Sequence, residues 1–150
     1  MKKLLSVDRT SKSVDFALLI IRIAIALLML THGIPKLGKF SQDPIQFMNF
    51  FGLGEPVSLS LAVFAEVLCS VFVLLGLGTR FAVIPLSITM TVALLQVHIE
   101  DPFSKQELAW HYLLVYAVLF ILGSGKYSLD NLLFKRESKL VIKNVISAGR

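Results

Sequence analysis

Two ionisable residues of this sequence stand where the neighbours on both sides are apolar. Arg22 lies in Ile20-Ile21-Arg22-Ile23-Ala24 and Glu66 in Val63-Phe64-Ala65-Glu66-Val67. A lone charge in hydrocarbon costs at least ~2.5 to 3.5 kcal/mol on insertion scales, so each is expected to face protein and to find a partner. Counted along helices, Arg22 lies ~10 Å and Glu66 ~18 Å from the inner boundary, a gap that a guanidinium side chain largely closes. The expectation is an intramembrane Arg22–Glu66 ion pair. It could serve proton or substrate handling, or it could only pin two helices together.

The histidines form a second constellation. His32, His98 and His111 come from three different apolar runs, all at the same end. Imidazole is a metal ligand and a proton carrier near neutral pH, so one level holding all three could make a metal, haem or quinone contact. With Lys36 one turn beyond His32, these residues outline a candidate outer pocket for a quinone ring or another small polar head group. The plainer alternative is that His, Trp110 and Tyr112 favour membrane interfaces. No His-x-x-His or Glu-x-x-His pairing supports a metal, and none is expected. Ser87, Thr91 and His98, and likewise Glu66 and Ser70, fall on single helix faces and are expected to bond across helices. Cys69 is alone in an apolar run and reads as a packing residue. No phosphate loop, nucleophile elbow or His-Glu-x-x-His pattern occurs, so the chain shows no catalytic machinery of its own.

The elements that must position these groups are apolar runs at 16–34, 57–77, 81–98 and 108–122. A hydrocarbon core of ~30 Å needs roughly 20 helical residues. With 55% hydrophobic residues in 150 and a mean hydropathy of +0.76, the chain is too apolar for a soluble globule of its size. The fold expected is all-α: a polytopic membrane protein, a four-transmembrane-helix bundle over residues 14–133. An N-tail, 1–13, and a basic C-tail, 134–150, flank it; from residue 128 on, the pattern fits an amphipathic helix on an anionic surface. The first run is too long for a signal-peptide core and reads as a retained helix.

Pro56 suits the first turn of the second helix, and Gly76 with Gly78 can end it, Arg80 then facing the negative end of its dipole. The segment 121–127 repeats the pattern of 74–80, which suggests two related helical hairpins. In the first loop, Asp43 as N-cap, Pro44 and Gln46 precede Phe47, Met48, Phe50 and Phe51. They predict a short outer-face helix at 44–51, placed as a lid over the pocket. Eleven Lys and Arg residues flank one side of the runs, against Lys36, Lys39 and Lys105 on the other. Both termini are therefore expected in the cytoplasm, and the net charge of +5 orients the chain rather than binding nucleic acid.

Taken in order, these residues resemble the DoxX family. The resemblance rests on Arg22, then Thr31-His32-Gly33-Ile34-Pro35-Lys36-Leu37, Phe50-Phe51-Gly52-Leu53 and Glu66. It continues with Leu75-Gly76-Leu77-Gly78-Thr79-Arg80 and Gly123-Ser124-Gly125-Lys126-Tyr127-Ser128-Leu129-Asp130, and covers about residues 15–133. It carries Arg22, Gly33, Lys36, Glu66, Arg80, Gly125, Ser128 and Asp130 onto family positions; His98 and His111 are outside the pattern. It implies a multi-pass protein of a prokaryotic plasma (inner) membrane. It implies too a small subunit or partner of a quinone-linked oxidoreductase complex, with redox-enzyme subunits, the lipid bilayer and a second copy of the chain as partners. Any cofactor is left undetermined apart from a quinone. A non-catalytic transporter, assembly or cargo protein is the alternative.

Overall fold

The computed structural model describes residues 12–133, which contain helices, turns and loops and no strand. The N-terminal segment 1–11 and the C-tail expected at 134–150 lie outside the described residues. Helix α1, Lys12–Leu37, runs into a 3-10 turn at Gly38–Ser41. Helices α2, Glu55–Leu75, and α3, Thr79–Val97, follow, and α4 is Phe103–Leu122. The first three helical stretches are long and apolar enough to cross a membrane. Helix α4 falls short of that measure because Lys105, Gln106, Glu107 and His111 occupy its first half. By length and composition, three spans rather than four are therefore evident among the described residues.

Helix α3 lies along α4, α1 lies along α2, and α2 also meets α3. Leu18, Met29, Leu59, Val73, Leu86 and Leu119 are buried between them, while Ile20, Leu27, Phe64, Ile88, Leu114 and Ile121 face outward. A core of this modest size under an apolar exterior suits lipid as the solvent. There, helix association depends on close packing rather than on expulsion of water. Gly33 provides it: a Cβ there would come within 2.8 Å of Val67 Cγ2 and 2.9 Å of Glu66 Cβ. The α1–α2 crossing thus sits directly on Glu66.

Helix α2 ends as its glycines suggest. Gly76 takes φ +68, the Leu77 amide donates to the Phe72 carbonyl and the Gly76 amide to that of Val73, the pairing of a Schellman stop. The second glycine pair, Gly123 and Gly125, also has positive φ, but Gly123 takes ψ −160 where Gly76 takes ψ 40, so α4 ends differently from α2.

The first loop departs from expectation. Residues 45–49 have no regular secondary structure, and instead of a helix at 44–51 there is a 3-10 turn at Phe50–Gly52. An isolated helix of two turns would gain few internal hydrogen bonds against a costly nucleus. Side chains satisfy this backbone instead: Phe50 N–H donates to Ser58 Oγ at 3.0 Å, Gly54 N–H to Asn49 Oδ1 at 2.7 Å, and Lys39 Nζ to Gln46 O at 3.4 Å. Phe47 and Phe50 of this loop are half-buried, whereas Phe51 is exposed.

Candidate functional site

The polar residues of the bundle separate into two groups, one at each end. At the end where α2 meets α3, Arg22 is fully buried and donates to the carbonyls of Val73, at 3.4 Å, and Tyr127. The Asp130 carboxylate acts on it electrostatically and accepts from Gly78 N–H at 2.8 Å, at the start of α3, while Asp130 N–H donates to Gly76 O at 3.0 Å. Asp15 accepts from Lys126 N–H at 3.0 Å, and Ser128 Oγ donates to Gly125 O at 2.6 Å. Arg80 donates to Ile121 O at 3.0 Å. It therefore faces the last turn of α4 rather than that of α2, whose carbonyl end is held by Arg22. A Cβ on Gly76 would overlap the guanidinium. This end is a closed polar knot that ties three connections together.

The expected Arg22–Glu66 pair is not made. Glu66, 1% exposed, is ion-paired with Lys36, one helical turn beyond Gly33 on α1. Lys36 reaches Glu66 because the glycine crossing brings α1 against α2 there, whereas Arg22 finds the carbonyl oxygens of Val73 on α2 and of Tyr127 beyond α4. Glu66 Oε1 holds the ammonium; Oε2 has no hydrogen-bond partner among the described residues. A buried polar atom of that kind normally has a partner, and the residue that carries it lines a cavity.

The cavity measures about 550 Å³ and is lined by Lys36, Lys39, Glu66, Ser58 and Thr89, by the loop rings Phe47, Phe50 and Phe51, and by apolar residues of α2 and α3. The Phe47 ring lies 5.9 Å from Lys36 Nζ and 5.4 Å from Lys39 Nζ and packs edge-on to Phe50. Two helices depart from α winding at this cavity. The segments Phe64–Cys69, which holds Glu66, and Ala93–Val97, whose Ala93 and Val97 line the wall, are π-helical. Such wide turns cost hydrogen-bond quality and gather at functional sites. Phe51 is a non-glycine residue at φ +53, a conformation L-residues avoid, and is 74% exposed. An ion pair with a free carboxylate oxygen, beneath aromatic rings and apolar walls, can orient a small polar head group and exchange a proton with it.

The histidines do not join this cavity. His32 is exposed and edges onto Tyr112 at 6.0 Å; His111 is exposed and engages Glu107 O at 2.8 Å. His98 Nδ1 pairs with Asp101 Oδ2 at 2.8 Å, and Lys105 holds the other oxygen at 3.1 Å. Those two partners keep the Asp101 carboxyl below the usual carboxylate range. His98 and His111 bond within their own helix ends while His32 packs across on α4, and among the described residues no three His, Cys, Asp or Glu side chains converge as a metal site. Of the expected outer pocket, Lys36 alone lines the cavity. Ser87 and Thr91 bond Val83 O and Ser87 O of their own helix, at 2.7 and 2.9 Å, instead of crossing to a neighbour. Sequence reasoning passed over Lys39 and Ser58. Ser58 carried a signal, since it lies one turn inside a helix whose N-terminus adjoins the aromatic loop.

A family model described as DoxX matches residues 17–99. A Haemophilus influenzae protein bearing the description "Uncharacterized protein" is 32% identical over 129 residues, 81% of this chain and 93% of that protein. A Bacillus subtilis protein named "Putative oxidoreductase CatD" is 28% identical over 126 residues, 83% of this chain and 92% of that protein. No solved structure matches.

Proposed function

The chain belongs to the DoxX family, and from that premise we propose that it is the quinone-binding membrane partner of an oxidoreductase complex, with the Lys36–Glu66 cavity as its head-group site. The observation that carries this is the buried Glu66 side chain, which lines the cavity with one carboxylate oxygen on Lys36 and the other without a hydrogen-bond partner among the described residues. A quinone ring suits that arrangement: flat and apolar enough for Phe47, Phe50 and Phe51, with carbonyl oxygens to accept from the Lys36 ammonium. Reduction of a quinone takes two electrons and two protons. Lys36 and Glu66 bind and orient the ring and relay to it two protons drawn from water, and a catalytic subunit of the complex supplies the two electrons. The name of the Bacillus subtilis relative agrees with an oxidoreductase setting. The protein sits in the plasma membrane with four spans and both termini cytoplasmic, so the cavity opens outward and the Arg22 knot closes the inner end.

The test is purification in mild detergent with assay of quinone in the lipid extract, alongside Lys36→Met and Glu66→Gln. Enrichment of quinone over the solubilised membrane, lost in both variants, is expected. Wild-type protein no richer in quinone than bulk membrane would overturn the proposal.

A further inference from the structure

Resting on that reading of the Lys36–Glu66 site, we infer that its ligand is a long-tailed amphiphile: the head occupies the cavity, and an apolar chain lies in the groove between α3 and α4, passing Phe51. A second depression, of about 630 Å³, follows α3 from Ile84 to Gln96 and is closed on its other side by Leu113, Tyr116, Ala117 and Phe120 of α4. At 1.5 Å per residue it runs ~18 Å along the bundle, the scale of an extended hydrocarbon chain rather than of a ring. Phe51, Ile88 and Val92 line both the groove and the head-group cavity, so the two adjoin along these side chains.

The groove lining is apolar apart from Gln96 and three hydroxyls, of which Ser87 and Thr91 donate to carbonyls of their own helix and Tyr116 Oη is buried with no hydrogen-bond partner among the described residues. Phe51 stands where cavity and groove meet, held in the left-handed region by the turn that precedes Gly52. Backbone strain of this sort collects at ligand clamps. An amphiphile arriving from the lipid would slide its tail between α3 and α4 and turn its head under Phe51 towards Lys36.

The measurement compares two probes in lipid nanodiscs: 2,3-dimethoxy-5-methyl-1,4-benzoquinone, and the same ring carrying a decyl chain. Three proteins are used: wild type, Ala117→Trp, which fills the groove, and Ile20→Trp, an equally bulky change on the lipid face of α1. The decyl compound is expected to bind wild type and Ile20→Trp at least tenfold more tightly than the bare ring, and Ala117→Trp is expected to abolish that gain while still binding the ring. Because Ile20→Trp controls for partitioning into lipid, equal tail gains in all three proteins would overturn the tail site and leave the head site standing. Binding of neither probe to wild type would overturn both. Native mass spectra in which Ala117→Trp instead releases a bound protein would assign the groove to a partner helix and overturn the inference.

Discussion

Lys36 and Glu66 lie thirty residues apart in sequence and meet because Gly33 lets two helices touch. Lys36→Met should strand the Glu66 carboxylate. Removing one partner of a fully buried pair costs roughly 3–5 kcal/mol, but Lys36 keeps 27% of its side-chain surface, so about 2 kcal/mol is expected, read as a lower thermal midpoint in detergent. Lys36→Met with Glu66→Leu should regain more than half of that loss, whereas Arg22→Met with Glu66→Leu should simply add. Recovery in the second double variant and not in the first would restore the Arg22–Glu66 pair. Gly76 and Gly78 offer another residue-level comparison. Both have positive φ, but a Cβ meets the Arg22 guanidinium at Gly76 and open space at Gly78. Gly78→Ala should cost about 1 kcal/mol for the backbone alone. Gly76→Ala should cost several times more, enough to depress yield; equal midpoints for the two variants would remove Arg22 from the stop of α2.

Among the elements, the first loop and the α3–α4 connection are held by side chains as well as by backbone hydrogen bonds such as Leu53 N–H to Phe50 O and Asp101 N–H to His98 O. Ser58 Oγ accepts from Phe50 N–H and donates to Gly54 O at 2.8 Å, so Ser58→Ala should unfasten the aromatic wall of the cavity. Amide exchange across 47–53 should quicken at least tenfold while that of α3 stays unchanged; unaltered exchange would mean that the rings, not Ser58, hold the loop. The α3–α4 connection depends on Asp101, whose pKa is lowered from its ordinary 3.8 first by the His98 hydrogen bond and then by Lys105. A carboxyl with a depressed folded pKa stabilises fully above the unfolded value, and that contribution disappears as pH falls through the folded value. Thermal midpoints of wild type and Asp101→Asn should therefore separate above about pH 3.8 and converge in stronger acid. A constant offset at every pH would show that only packing is lost.

For the whole molecule the solvent is the controlling fact, and topology is its sharpest consequence. Reporter fusions after Lys39 and after Lys105 should both read external; an internal reading after Lys105 would show that α4, with its polar first half, does not cross. Composition and run length sufficed for the class of fold, because a hydrocarbon core of fixed thickness demands helices of fixed length, and that demand is written residue by residue. The stops at Gly76 and Gly123 were legible for the same reason, a local backbone need that a glycine meets within a few residues. That Arg22 and Glu66 are buried was also legible, since the cost of a charge in lipid is a property of position along one helix. Their partners were not. Which cation reaches Glu66 depends on the rotation and crossing of α1 against α2, fixed by Gly33 packed on Val67. Whether the loop at 44–51 coils into a helix depends on Ser58 and Lys39, which belong to other elements. Whether three histidines at one level share a cavity depends on which way each helix is turned. Those are relations between helices, set by side-chain fit across an interface, and only the tertiary structure decided them.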